Sequence, residues 1–224
     1  MNLCIACKAY NKCFASSLNQ AEQTELGKCL KQKTVPKGEV IYRENKSAQN
    51  IFVLIEGRII QEHQDAMIHP VIMRLIKENE FIGLEAIIPE RNYIATATAY
   101  TEATFCTIPK TCIEKLLKSN MEVYKQIFSE MSRQYERVFN YSFLMLWGSS
   151  LSKLAYSLIT LADEKGFVLM SKAEIARMTG LARETISRLL GKLKENNIIE
   201  INKREVKIIK PKELEKLLSK KKMN

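Results

Sequence analysis

The stretch from Leu181 to Leu193, reading Leu-Ala-Arg-Glu-Thr-Ile-Ser-Arg-Leu-Leu-Gly-Lys-Leu, constrains the fold more than any other. Ile186, Leu189, Leu190 and Leu193 recur at helical spacing and make one apolar stripe. Glu184, Ser187 and Arg188 fall on the opposite face, with Arg183 at the helix start. Those groups can read base edges: Arg bidentate to guanine, Glu accepting from cytosine, Ser to either. A merely solvated helix face has the same pattern, so the preceding residues decide. Ser171-Lys172-Ala173-Glu174 is a capping box that opens a short helix carrying Ile175, Ala176 and Met178. Thr179-Gly180 supplies a tight turn, and the whole reads as a helix-turn-helix. Ile199 and Ile201, then Asn202-Lys203-Arg204, then Val206 and Ile208 read as a hairpin behind it, the winged variant. Ser171, Lys203 and Arg204 join Arg183, Glu184, Ser187 and Arg188 as candidate DNA contacts.

Charge supports that reading. Residues 171–224 hold fifteen Lys/Arg against seven Asp/Glu, a net of +8. Residues 1–170 hold twenty against eighteen, a net of +2. A basic last quarter is the footprint of phosphate-backbone binding, although Lys220-Lys221-Lys222 reads as a solvated tail. No apolar run reaches the length of a membrane span. The N-terminus lacks a basic region followed by an apolar core, so no secretory signal is expected and the protein is expected to be cytoplasmic. Six cysteines there suit ligands or redox thiols better than structural disulfides. No Ser/His/Asp set and no phosphate-cradling Gly loop stands out, so enzyme activity is not expected.

The chain divides, on this reading, into a cysteine-rich segment (1–17), a sensor domain (18–110), a dimerisation helix (111–147) and a DNA-binding domain (148–224). Leu18, Ala21, Leu26 and Leu30 suggest a short helix over 18–31. β-branched runs at 40–42, 51–55, 58–61, 71–76 and 94–108, separated by turn residues, predict an antiparallel β-roll. Pro109 then opens one long helix. Leu117, Met121, Tyr124, Phe128, Met131, Tyr135, Val138, Ser142 and Met145 alternate by four and three, a coiled-coil seam that predicts a parallel homodimer. Trp147-Gly148-Ser149-Ser150 marks the boundary before a further helix over 151–162.

This α+β order (β-roll, long helix, winged helix-turn-helix) resembles the CRP/FNR superfamily of bacterial transcription regulators, whose sensor is a jelly roll like that of cyclic-nucleotide-binding domains. Glu184-Thr185-Ile186-Ser187-Arg188 is similar to the Glu-x-x-Ser-Arg recognition signature of the FNR branch. The resemblance implies that Glu184, Ser187 and Arg188 read half-site bases of a palindromic double-stranded operator, with RNA polymerase as a further partner. Arg183 resembles the extra arginine of the cyclic-AMP receptor branch, which leaves TTGAT-like and TGTGA-like half-sites both open.

Superfamily members that bind cyclic nucleotides carry a Gly-Glu-Leu followed by an Arg-Ser-Ala cassette. Here the corresponding stretches are Phe81-Ile82-Gly83-Leu84-Glu85-Ala86 and Tyr93-Ile94-Ala95-Thr96. Ile94-Ala95 offers a cyclic phosphate neither a guanidinium nor a hydroxyl, which argues against cyclic AMP. Cys4, Cys7 and Cys13, with Cys106 far along the chain, amount to four thiolates, the complement of a cubane cluster. Their spacing, and Cys106-Thr107-Ile108-Pro109, resemble the FNR type of oxygen sensor; the resemblance implies a [4Fe–4S] cluster on these four. Zinc competes for clustered thiolates, and a haem could use His63, His69, Met67 or Met73. Cysteine oxidation or a small-molecule effector in the roll are the alternative signals. Cys29 and Cys112 read as small buried hydrophobes.

Overall fold

A computed structural model describes residues 7, 13–63, 70–202 and 205–219. The chain separates into two compact units, residues 1–64 with 73–135 and residues 65–72 with 136–224.

The first unit opens with a 3-10 turn at Phe14–Ser17, whose Phe14 and Ala15 are buried. Helix α1 (Gln20–Cys29) follows, started by an Asn19–Glu22 capping box. Among the described residues eight strands then build the roll: β1 (Lys31–Val35), β2 (Val40–Tyr42), β3 (Asn50–Glu56), β4 (Ile59–His63), β5 (Val71–Ile76), β6 (Phe81–Ile82), β7 (Thr96–Ala99) and β8 (Ala103–Pro109). Two four-stranded sheets, in the orders β1-β8-β3-β6 and β2-β7-β4-β5, make up the roll, and the pairings with recorded register are antiparallel. The interior is apolar because β3 brings five consecutive buried residues, Ile51 to Ile55, to meet Phe105 and Ile108 of β8. Gly57, at the β3–β4 turn, has φ +94°, and a Cβ there would lie 2.2 Å from the Glu102 carbonyl oxygen, so no side chain fits.

Most strands of the roll stand where the β-branched runs placed them. The run 94–108 is two strands rather than one, because residues 100–102 turn the chain between β7 and β8. Strands β1 and β6 leave no strand pattern in the sequence. Lys31-Gln32-Lys33-Thr34 is exposed and carries no alternation, and β6 is two residues long.

The single helix expected after Pro109 is two. Helix α2 (Lys110–Ser119) ends at Asn120, whose φ −132° and ψ 105° are extended. Asn120 restarts the chain by capping: its Oδ1 accepts from the Glu122 and Val123 amides at 2.9 and 3.1 Å, opening α3 (Met121–Trp147). Helix α2 is amphipathic and lays Cys112, Ile113 and Leu116 on the roll core.

The second unit begins within α3 and contains α4 (Ser150–Leu161), β9 (Phe167–Val168), α5 (Lys172–Thr179), α6 (Arg183–Glu195), β10 (Ile199–Asn202), β11 (Glu205–Ile208) and α7 (Pro211–Ser219). Helix α4 starts where Ser149 caps the Ser152 amide at 3.1 Å, and its buried Ser152 hydroxyl donates to the Leu217 carbonyl of α7 at 2.8 Å. Leu154, Leu158, Ile175, Ile186, Leu190 and Leu214 are wholly buried. The predicted hairpin is present, and a third strand unseen in the sequence, β9, pairs with β11.

Candidate nucleic-acid interface and sensor site

Ser171 starts α5 as its sequence implies: its hydroxyl accepts from the Glu174 amide at 3.3 Å and donates to the Glu174 carboxylate at 2.7 Å. The hydroxyl is therefore engaged inside the capping box. Helix α5 stops at Gly180, in the left-handed region at φ +67°. Thr179 braces the turn, donating to the Ile175 carbonyl at 2.8 Å and accepting from the Leu181 amide at 3.3 Å. These contacts aim α6. Its apolar stripe (Ile186, Leu189, Leu190, Leu193) is buried, and Arg183, Glu184, Ser187 and Arg188 are all exposed. Glu184 in the first turn and Lys192 and Lys194 in the last suit the helix dipole. Of the wing candidates, Lys203 and Arg204 lie outside the described residues. Lys207, a wing cation that no motif marks in the sequence, holds its ammonium 5.2 Å from the Phe167 ring centre.

Helix α3 has two apolar faces. Val123 and Ile127 are buried in the roll unit, and Glu130, one turn on, is buried with them. Met121, Tyr124, Phe128, Met131, Tyr135 and Val138 of the predicted seam are all exposed. Phe139, Phe143, Leu146 and Trp147 widen the stripe, with Leu146 and Trp147 at 76% and 72% exposure. Met145 is half-buried and Ser142 exposed. Leu117 does not belong to this seam: it sits on α2, half-buried against the roll core, because Asn120 breaks the helical phase.

Glu130 is held by a polar clasp. Its Oε1 accepts from Gln134 Nε2 at 2.9 Å and lies 3.8 Å from Arg74 Nη2; its Oε2 lies 2.9 Å from Arg133 Nη2. Arg74, on β5, also donates to Glu80 at 2.9 Å. Gln134 Nε2 reaches the Phe81 carbonyl of β6 at 3.3 Å. The clasp thus ties β5, β6 and the turn between them to α3.

The cysteines sort differently from the sequence expectation. Cys29 and Cys112, read as buried hydrophobes, form a disulfide between α1 and α2 with Cα atoms 6.5 Å apart. Periodicity places each on a helix but cannot show that the two helices meet. Cys4 lies outside the described residues; Cys7, Cys13 and Cys106 are half-buried and outside any disulfide. Burial pushes the Cys13 thiol above its ordinary range, the Ala15 and Phe14 amides oppose this, and Cys7 is near enough to raise it further. Cys106, on β8, faces Gln32 of β1 and Val53 of β3 across the sheet. Among the described residues no three Cys, His, Asp or Glu converge on a metal position. His63 sits on β4, its Nδ1 2.7 Å from Glu44; His69 and Met67 fall outside the described residues, and Met73 is exposed.

Aromatic rings pack the roll interior near the cassette positions. Tyr42 stacks on Tyr93 with ring centres 4.0 Å apart, and Phe52 lies 5.4 Å from Tyr42 and 5.7 Å from Phe105. The Tyr93 hydroxyl donates to the Asn50 carbonyl at 2.9 Å. Burial raises both phenols, so they stay neutral. The Glu85 carboxylate accepts from the Ile94 amide at 3.4 Å, placing negative charge where the two stretches meet.

A family model described as a cyclic nucleotide-binding domain matches residues 32–120, and one described as a Crp-like helix-turn-helix domain matches residues 152–217. The chain is 25% identical over 216 residues to the transcriptional activator protein FnrA of Stutzerimonas stutzeri, covering 92% of this chain and 88% of that protein. The chain belongs to the CRP/FNR family of transcription regulators. This is a family of DNA-binding regulators, not of enzymes. The fumarate and nitrate reduction regulatory protein of Vibrio cholerae is 24% identical over 228 residues, covering 96% of this chain and 89% of that one. The fold of this CRP/FNR regulator is similar to that of FixK2 from Bradyrhizobium japonicum, with a TM-score of 0.76, 18% identity, and 84% and 96% of the two chains covered. The two matched spans contain most of the roll and α2 in one case and most of α4 to α7 in the other. Among the described residues no helix is long and apolar enough to cross a membrane.

Proposed function

We propose that this CRP/FNR regulator binds palindromic double-stranded DNA as a homodimer and senses oxygen or redox state through a [4Fe–4S] cluster on Cys4, Cys7, Cys13 and Cys106. One observation carries the choice of signal. With Cys29 and Cys112 joined to each other, the remaining four of the six cysteines are the four the spacing nominates. The donors fit the group in kind, since thiolates are the ligands of iron–sulfur clusters and Cys7 and Cys13 lie within electrostatic reach of each other. The naming of two relatives as FnrA and as a fumarate and nitrate reduction regulator is consistent with this signal. A bound cluster supplies an oxygen-labile tie between the N-terminal segment and β8. The ring-filled roll and the Glu85 carboxylate disfavour a cyclic phosphate as the signal instead.

The chain's own residues perform the output. The exposed stripe from Met121 to Val138, widened by Phe139 and Leu146 and continued by the half-buried Met145, is the face that a second copy covers. Pairing there sets two α6 helices about one DNA turn apart, in successive major grooves. Arg183, Glu184, Ser187 and Arg188 then meet base edges, and the lysines of α6 and the wing, with Lys203 and Arg204, meet phosphates. RNA polymerase is the partner through which bound DNA changes transcription.

The deciding experiment is purification without oxygen, then a visible spectrum and iron and sulfide assays before and after air. A brown protein with about four iron and four sulfide per chain that bleaches in air is expected, and Cys106→Ser should abolish the colour. A colourless protein after reconstitution with iron and sulfide overturns the cluster and leaves the DNA-binding reading standing.

A further inference from the structure

We infer that Cys29 and Cys112 are a second redox site, a reversible thiol–disulfide pair that acts on the start of α3 without any cluster. The inference rests on the family reading in one respect. A transcription regulator works beside the chromosome, in a thiol-reducing compartment, where a disulfide is usually a sensing or catalytic one rather than a staple.

The geometry assigns the two sulfurs different parts. Cys112 is buried, at 9% exposure, in the first turn of α2. Cys29 is half-buried at the end of α1, and both cysteines line a surface cleft of about 430 Å³ between α1 and α2. Cys29, the more exposed of the two in that cleft, is the attacking thiol, and the buried Cys112 is placed to resolve. With a peroxide as oxidant, the Cys29 sulfur attacks one oxygen, the O–O bond breaks, and Cys29 sulfenic acid and one water result. The Cys112 sulfur then attacks the Cys29 sulfur, the S–O bond breaks, and a second water leaves with the remaining thiol proton. Two thiols and one hydrogen peroxide thus become one disulfide and two waters; a dithiol reductant reverses the change.

The bond matters because of what else α1 holds. At its other end, the Glu22 carboxylate accepts from Asn120 Nδ2 at 2.8 Å, and Asn120 is the residue whose Oδ1 caps α3. Helix α1 is thereby fastened across α2 at two points, one covalent and one through the cap of the dimer-face helix. Oxidation at Cys29 and Cys112 fixes α1 along α2 and keeps Glu22 on Asn120. Reduction leaves the hydrogen bond to hold the helix.

The test uses the full chain and a second chain carrying Cys4→Ser, Cys7→Ser, Cys13→Ser and Cys106→Ser. Each is purified without oxygen, treated with stoichiometric hydrogen peroxide, alkylated in denaturant and analysed by peptide mass. The Cys29 and Cys112 peptides should appear joined and lighter by two hydrogen atoms than the separate pair, and dithiothreitol should release them in both chains. Alkylation of both as thiols after peroxide, or a bond from either to another cysteine, overturns the site. Hydrogen exchange should then show the Glu122 and Val123 amides slower in the oxidised chain than in the reduced one, with no such response in Cys112→Ser. Equal rates overturn the link to α3. Failure of the cluster reading shows as a colourless full chain and leaves the peptide result untouched.

Discussion

Glu130 offers a quantitative test of how the roll is joined to α3. Its carboxylate is buried, and it lies 3.8 Å from Arg74, which itself holds Glu80. Two unit charges at that separation attract by about 4 kcal/mol at an effective dielectric of 20. Desolvation of the two ions offsets most of that, so the intact pair is worth little; removing one partner costs about 3–5 kcal/mol because the other charge stays buried. Two features place Glu130→Ala at the lower end, about 3 kcal/mol. Arg74 keeps Glu80 at 2.9 Å, and the Arg133 side chain, 61% exposed, can return to water. Little relief is available at Arg74 itself, whose buried Nε has no acceptor among the described residues. The assay is urea unfolding followed by far-ultraviolet circular dichroism; at an m-value of about 2 kcal/mol/M the midpoint should fall by about 1.5 M. A cycle with Arg74→Met should show a coupling of at least about 1 kcal/mol. A loss under about 1 kcal/mol, or strict additivity, would mean that the carboxylate is hydrated and that the clasp does not hold the roll to the helix.

The remaining predictions concern the output half and the helix starts. Arg188→Ala should weaken operator binding by about 1–3 kcal/mol and relax preference at one base step; equal losses on matched and mismatched operators in anisotropy titrations would reduce Arg188 to a phosphate contact. Phe128→Glu puts a charge in the exposed stripe and should give monomers in sedimentation, together with loss of operator binding. A dimer that persisted would remove that face as the interface. Ser171→Ala deletes both hydroxyl bonds of the α5 capping box and should cost about 1 kcal/mol, read as a lowered melting temperature. Leu190→Ala, at a wholly buried position of α6, should cost about 2–5 kcal/mol; a change near zero would mean that the helix is not packed as described.

How much of this was legible in the sequence depended on whether the signal was local. The α5–turn–α6 unit was readable because each part has a short-range cause: a capping box at Ser171 and Glu174, a left-handed Gly180, and a stripe at helical period. The same holds for the exposed polar face of α6 and for most of the exposed seam on α3. The break at Asn120 was missed although asparagine is a capping residue, because the heptad count runs through it without a visible fault. The extra width of the α3 stripe at Phe139, Phe143 and Leu146 was hidden for a related reason: a strict alternation of threes and fours selects one line of residues and ignores the line beside it.

By itself, then, the sequence determined the elements that local chemistry dictates: the helix-turn-helix, the wing hairpin, the β-branched strands, and the basic charge of the last quarter. Only the tertiary structure decided which distant residues meet. Cys29 and Cys112 are 83 residues apart, Glu22 and Asn120 are 98 apart, and the Glu130 clasp draws on β5, the turn beyond it, β6 and α3. No period or spacing encodes such meetings. They follow from burying the roll's apolar faces together, which brings α1 against α2 and leaves Glu130 inside, where a carboxylate must find its cations.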